Sequence, residues 1–117
     1  MKIKNIKFKA KRLDGKGWVI GDLIHSYENG AIIVPIEGGG AFSVDPSTVC
    51  QFTGLKDTND VPIFEGDIIA FDGEGEVVFK DGAFYAKFGK YTECLLCNLV
   101  KSGLSVTIVG NKFDKEK

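Results

Sequence analysis

The sequence predicts a mainly β fold: a small antiparallel, barrel-like domain of short strands with one short helix near the C-terminus. Three observations carry this expectation. Glycine is frequent, at 15 of 117 residues, while proline (three) and methionine (one) are scarce, as in chains built from many tight turns. Short apolar runs are separated by turn-forming pairs at Asp14-Gly15, Asn29-Gly30, Asp72-Gly73 and Asp81-Gly82. Several of those runs alternate apolar and polar residues, the period of a half-buried strand.

The length fits one domain over 1–117, long enough to bury about two-thirds of the unfolded surface. With 44% hydrophobic and 26% charged residues, the chain has the composition of a folded protein. No stretch approaches the ~18 apolar residues of a membrane span, and no membrane partner is expected. The basic opening, Met1 to Leu13, lacks an apolar core and a cleavage site, so it does not read as a secretion signal.

Taken in order, Ile6-Lys7-Phe8-Lys9-Ala10-Lys11 alternates strictly and reads as a strand with a lysine face, at or near a sheet edge. Trp18–Ile24 is the next strand, with Gly21 suggesting a bulge or bend. Ala31–Val34 follows and should stop at Pro35, which has no N–H to give. Asp45-Pro46-Ser47-Thr48 reads as one 3₁₀ turn with proline first. Val49–Thr53 is a strand, Gly54–Asp60 a loop, and Ile63-Phe64 resumes extended structure. Glu65-Gly66-Asp67 turns sharply into Ile68–Phe71, and a hairpin of Glu76–Lys80 and Ala83–Phe88 follows. Leu95, Leu96, Leu99 and Val100 share one helical face, so Thr92–Gly103 is predicted helical, capped by Thr92 and ended by Gly103. Leu104–Phe113 closes the chain as a strand with Val106, Ile108 and Gly110 on one face, and the last four residues fray.

The net charge of −1 hides a segregation. Residues 1–16 carry +6, residues 17–86 carry −10, and residues 87–117 carry +3. A nucleic-acid binder is usually basic throughout, and this chain is not. The basic segment fits better against the acidic middle of its own chain or of a second copy.

Residue chemistry points away from catalysis, and no cofactor is expected. Cys94-Leu95-Leu96-Cys97 supplies two thiols where a structural zinc site needs four ligands, and only Cys50 and His25 could complete it. The leucines between them read as core, so reduced, packed cysteines are expected, as in a reducing compartment. His25 has no assignable nucleophile or orienting acid and reads as an exposed turn residue. Asp72-Gly73-Glu74-Gly75-Glu76 lacks the length and spacing of a calcium loop and reads as a solvated turn.

The stretch Gln51-Phe52-Thr53-Gly54-Leu55-Lys56-Asp57-Thr58-Asn59-Asp60-Val61-Pro62-Ile63-Phe64-Glu65-Gly66-Asp67-Ile68-Ile69 resembles the signature of the YopX family of phage and prophage proteins. The opening Ile6–Ala10 and the closing Val109-Gly110-Asn111-Lys112-Phe113 are similar to that family's ends, while Asp60 stands where the family often has glycine. The resemblance implies a β-rich, barrel-like, homo-oligomeric protein of a mobile element, located in the cytoplasm of a bacterial host. It supplies no catalytic residue. The motif residues Thr53, Gly54, Leu55, Asp57, Glu65, Gly66 and Asp67 are therefore expected either to shape a corner or to form a binding surface. Gly54 and Gly66 would sit where a Cβ is crowded, Asp57 and Asn59 would cap the turn, and Glu65 and Asp67 would satisfy strand-end donors. The function expected is a non-enzymatic accessory role, as a homo-oligomeric module binding an unidentified phage or host protein. The alternative is a small-barrel nucleic-acid binder using Lys7, Lys9, Lys11 and Arg12, with Phe8 or Trp18 for stacking.

Overall fold

The computed structural model describes residues 3–26, 28 and 30–114, without the side chain of Lys4. The fold is mainly β, with two antiparallel sheets and one short helix. The chain divides into two compact units, Met1–Phe52 and Thr53–Lys117. The Asn29 half of the Asn-Gly turn and residues 115–117 of the tail lie outside the described residues.

In the first unit, β1 (Phe8–Lys11), β2 (Trp18–His25), β3 (Ala31–Val34), β4 (Phe42–Val44) and the start of β5 (Cys50–Lys56) lie in the order β4-β3-β2-β1-β5. β1 is thus an interior strand and not an edge: Lys9 faces Ile20 on one side and Cys50 on the other. Its alternation is real, but the lysine face is covered by aromatic rings. The opposite face buries Ala10 fully and packs Phe8 against Ala31, Ile33 and Val44.

β2 is shared between partners. Residues 18–21 pair with β1 and residues 22–25 with β3, in unbroken register. Gly21 therefore marks no bulge. It sits where the strand changes partner, and a Cβ there would collide with the backbone of Val34 and Pro35. Gly21→Ala should cost about 3 kcal/mol, because backbone cannot step aside. In the second unit, a Cβ at Gly75 would meet only the Phe88 ring, which can turn. Gly75→Ala should cost about 1 kcal/mol. Urea melts of both variants check the ranking; equal costs would contradict it.

β3 ends before Pro35 as expected. The 3₁₀ turn Pro46–Thr48 also forms, capped by Asp45, whose carboxylate accepts from Ser47 N at 3.0 Å. This unit comes close to a barrel. Arg12 and Val44 form a single bridge, flanked by Leu13 N to Ser43 O (3.0 Å) and Asp45 N to Lys11 O (2.8 Å). That bridge ties β4 to the end of β1, but one bridge is not a full ladder, so the sheet stops short of closure.

In the second unit, β6 (Pro62–Phe64) pairs with β5. β7 (Asp67–Ala70), β8 (Glu74–Lys80), β9 (Ala83–Phe88), β10 (Thr92–Leu95) and β11 (Thr107–Asn111) form an open sheet in the order β10-β9-β8-β7-β11. Ile63, Ile69, Val77, Ala86, Leu96, Leu99 and Val106 make its core. Asp81 and Gly82 both take positive φ (51° and 81°), the geometry of a tight β8–β9 turn.

Three expectations are corrected here. The helix α1 spans only Leu96–Val100, because Thr92–Leu95 pairs with β9 and places Cys94 opposite Ala86. β5 runs through Gly54 to Lys56, so the loop begins at Asp57. β11 spans Thr107–Asn111 and not the whole of Leu104–Phe113, and its register shifts between Ile108 and Gly110: Val106 and Ile108 share the core side as expected, while Gly110 is exposed and does not.

Candidate functional site

Two places collect the residues singled out by sequence. The first is the lysine face of β1. Period two sets Lys7, Lys9 and Lys11 on one side. Lys7 Nζ lies 4.5 Å from the centre of the Phe52 ring, and Lys9 and Lys11 lie 4.7 and 5.6 Å from that of Trp18. Arg12 lies over Phe42 at 4.2 Å and bonds Asp14, whose carboxyl is held below the usual carboxylate range chiefly by that guanidinium bond. Each cation–ring contact is worth about 0.5–1 kcal/mol at a surface. Phe8, offered above as a stacking residue, points to the core instead; Trp18 is the aromatic that shares the lysine face. Thr48, missed by sequence reading, is buried and accepts from Lys11 N at 2.9 Å, fixing the end of β1.

The second place is the corner that the signature builds in the second unit. Thr53 Oγ1 donates to Ile63 O (2.8 Å) and accepts from Leu55 N (3.1 Å), holding β5 to β6 around Gly54. Gly54 has φ +85° and open space about its Cα. The requirement there is the left-handed backbone and not the crowding anticipated above. Leu55 packs on the core.

Asp57 is 8% exposed, and its carboxylate is used entirely on main-chain donors. Oδ1 accepts from Asn59 N (2.8 Å) and Val61 N (2.9 Å), and Oδ2 accepts from Ile108 N (3.1 Å). Asn59 joins this turn through its backbone. Asp60 takes φ +67°, so an aspartate holds the left-handed position for which glycine is the easier residue.

Gly66 is buried at φ +89°; its N donates to Val77 O (2.8 Å) and its O accepts from Lys112 N (2.9 Å). Glu65 beside it is half-buried. Asp67 is 1% exposed. Its Oδ2 accepts from Phe64 N (2.8 Å) and its Oδ1 from Asn111 Nδ2 (2.9 Å), while Asn111 Oδ1 accepts from Phe113 N (2.9 Å). Asn111 and Thr58 are the participants that sequence reading missed. Asn111 lies in the closing Val109–Phe113 segment that carries part of the resemblance, and that was the available signal.

The remaining chemistry-bearing residues are scattered. His25 is exposed at the end of β2, lining a cleft of about 360 Å³ with Leu23, Ala31 and Val49. Cys50 is buried in the first unit. Cys94 and Cys97 are half-buried, Cys94 against the core and Cys97 beside Asn98. Among the described residues, no three His, Cys, Asp or Glu side chains gather to hold a metal ion, and no helix is long and apolar enough to cross a membrane.

A search of curated proteins finds no match. The family comparison is decisive. The family model described as YopX protein matches residues 7–116, taking in both the lysine face and the acidic corner, and the chain belongs to the YopX family.

Proposed function

We propose that this protein is a non-enzymatic accessory protein of a phage or prophage, working in the bacterial cytoplasm as a homo-oligomeric module that binds a phage or host protein. The observation that carries the reading is the destination of the signature carboxylates. Asp57 and Asp67 spend their oxygens on Asn59, Val61, Ile108, Phe64 and Asn111. Acids held this way shape a corner; a general acid or base must be reachable by a substrate proton. The oligomer is supported by the open edges of the second-unit sheet and by the +6/−10 charge segregation, which favours contact between copies. Light scattering after size exclusion at low and high salt should give a multiple of the chain mass. A monomer at micromolar protein in both would contradict the reading.

A second reading is favoured by the alignment of Lys7, Lys9 and Lys11 with Trp18 on one face. That pattern suits a single-stranded nucleic acid, with phosphates on the lysines and a base on the indole. Its affinity should fall steeply with salt. Absence of DNA or RNA binding at 50 mM salt removes it.

A further inference from the structure

The last strand of the second unit is held in an unusual way. β11 lies at the end of its sheet, and the chain reaches it through Lys101–Ser105, five exposed residues with Gly103 at φ +84°. The local ties in that connection lie near its start: Lys101 N donates to Cys97 O (3.1 Å), Ser102 bonds Leu99 O through both N (3.2 Å) and Oγ (2.7 Å), and Leu104 N donates to Ser102 Oγ (3.2 Å).

What fixes β11, besides its ladder to β7, is the signature. Thr58 N donates to Val106 O (2.8 Å), and Val106 N donates to Thr58 Oγ1 (2.8 Å). Ile108 N donates to Asp57 Oδ2 (3.1 Å), Lys112 N to Gly66 O (2.9 Å), and Asn111 Nδ2 to Asp67 Oδ1 (2.9 Å). Val106, fully buried, and Ile108 complete the core. The partners in the side-chain bonds are 44 to 51 residues apart in sequence. The motif therefore forms a receptor for a strand that arrives late in the chain on an exposed tether.

None of these contacts distinguishes a chain's own strand from the identical strand of another copy. Exchange would keep every docking bond and both core side chains, changing only the tether and the entropy of association. We propose that the segment 104–114 is exchanged between two copies, the Thr53–Asp67 corner of each chain receiving β11 of the other. This deepens the homo-oligomeric reading above by naming the surface: the signature is the socket and the closing segment the plug.

The tether supplies the test. Deleting Ser102, Gly103 and Leu104 leaves too little chain for β11 to fold back, so light scattering should report twice the chain mass. Inserting a flexible Gly/Ser segment after Gly103 relaxes the tether and should give monomer. A deletion variant that folds by circular dichroism and stays monomeric overturns the exchange. Where that variant fails to fold, the unaltered chain decides. Refolded from denaturant at millimolar concentration, it should yield a dimer that outlasts dilution for hours; monomer alone overturns the proposal. An oligomeric natural chain whose mass is unchanged by the insertion assembles through another surface, which sinks the exchange and leaves the oligomer standing. A natural chain that stays monomeric at millimolar concentration overturns the exchange and the oligomer together, whatever the deletion variant does.

Discussion

Asp67→Ala should destabilise the second unit by about 3–5 kcal/mol, enough to unfold much of a marginally stable domain. The side chain is 1% exposed and receives Phe64 N–H and the Asn111 amide at 2.8 and 2.9 Å. Alanine removes both acceptors at once, and each stranded donor costs about 1–3 kcal/mol. Removing a buried carboxylate also relieves its own desolvation, which holds the net loss below the sum of the broken bonds. Asp67→Asn keeps one acceptor oxygen and turns an NH₂ toward the other donor, so its loss should fall between wild type and alanine. Chemical denaturation of the three proteins reads the order directly. An alanine variant within 0.5 kcal/mol of wild type would show that the carboxylate is not holding the corner.

Asp57→Ala is the second large effect, expected at about 2–4 kcal/mol. Its carboxylate closes the Asp57–Val61 turn through two N–H groups and reaches Ile108 N on β11. The asparagine variant separates these jobs. Oδ1 can still accept from Asn59 and Val61, while the new NH₂ faces the Ile108 N–H, donor against donor. Asp57→Asn should therefore leave the turn intact and loosen β11, at about 1–2 kcal/mol. Amide exchange read residue by residue should accelerate in the Asn variant at Val106–Asn111 and spare Val61. Equal acceleration at both would mean that the turn and β11 open together, against the separation of jobs expected here.

Much of this fold is written in local chemistry. Pro35 ends β3 because it has no donor for the ladder, and Asp45-Pro46 starts a 3₁₀ turn because the aspartate caps what the proline leaves open. Asp81-Gly82 makes its hairpin because both residues tolerate positive φ. Other features depend on a partner that no local pattern names. The lysines of β1 resemble an edge strand's guard, yet β5 returns to pair with that strand and aromatic rings take up the charges. Leu96 and Leu99 do lie on a helix and in the core, but Glu93-Cys94-Leu95 is claimed by β9, and a sheet ladder outweighs the weak preference of four residues for helix.

The candidate corner was legible in its parts and not in its wiring. Asp57 as a turn cap and Asp67 as a strand-end acceptor follow from the habits of short acidic side chains beside glycine. That both also reach the last strand, through Ile108 and Asn111, is a long-range fact with no periodic trace. Sequence suggests crowding at Gly54 where the structure needs its backbone angle, because a glycine's two uses look alike in sequence.

Native-state hydrogen exchange at Phe64, Val61 and Ile108 tests the inward use of the signature acids most directly, since each of these amides has a carboxylate oxygen as its acceptor. Protection by about two orders of magnitude or more over an unstructured amide is the expected result at all three. Exchange at the unstructured rate, in a protein whose β8 and β9 amides stay protected, would mean that Asp57 and Asp67 are turned away from the backbone and free to do something else.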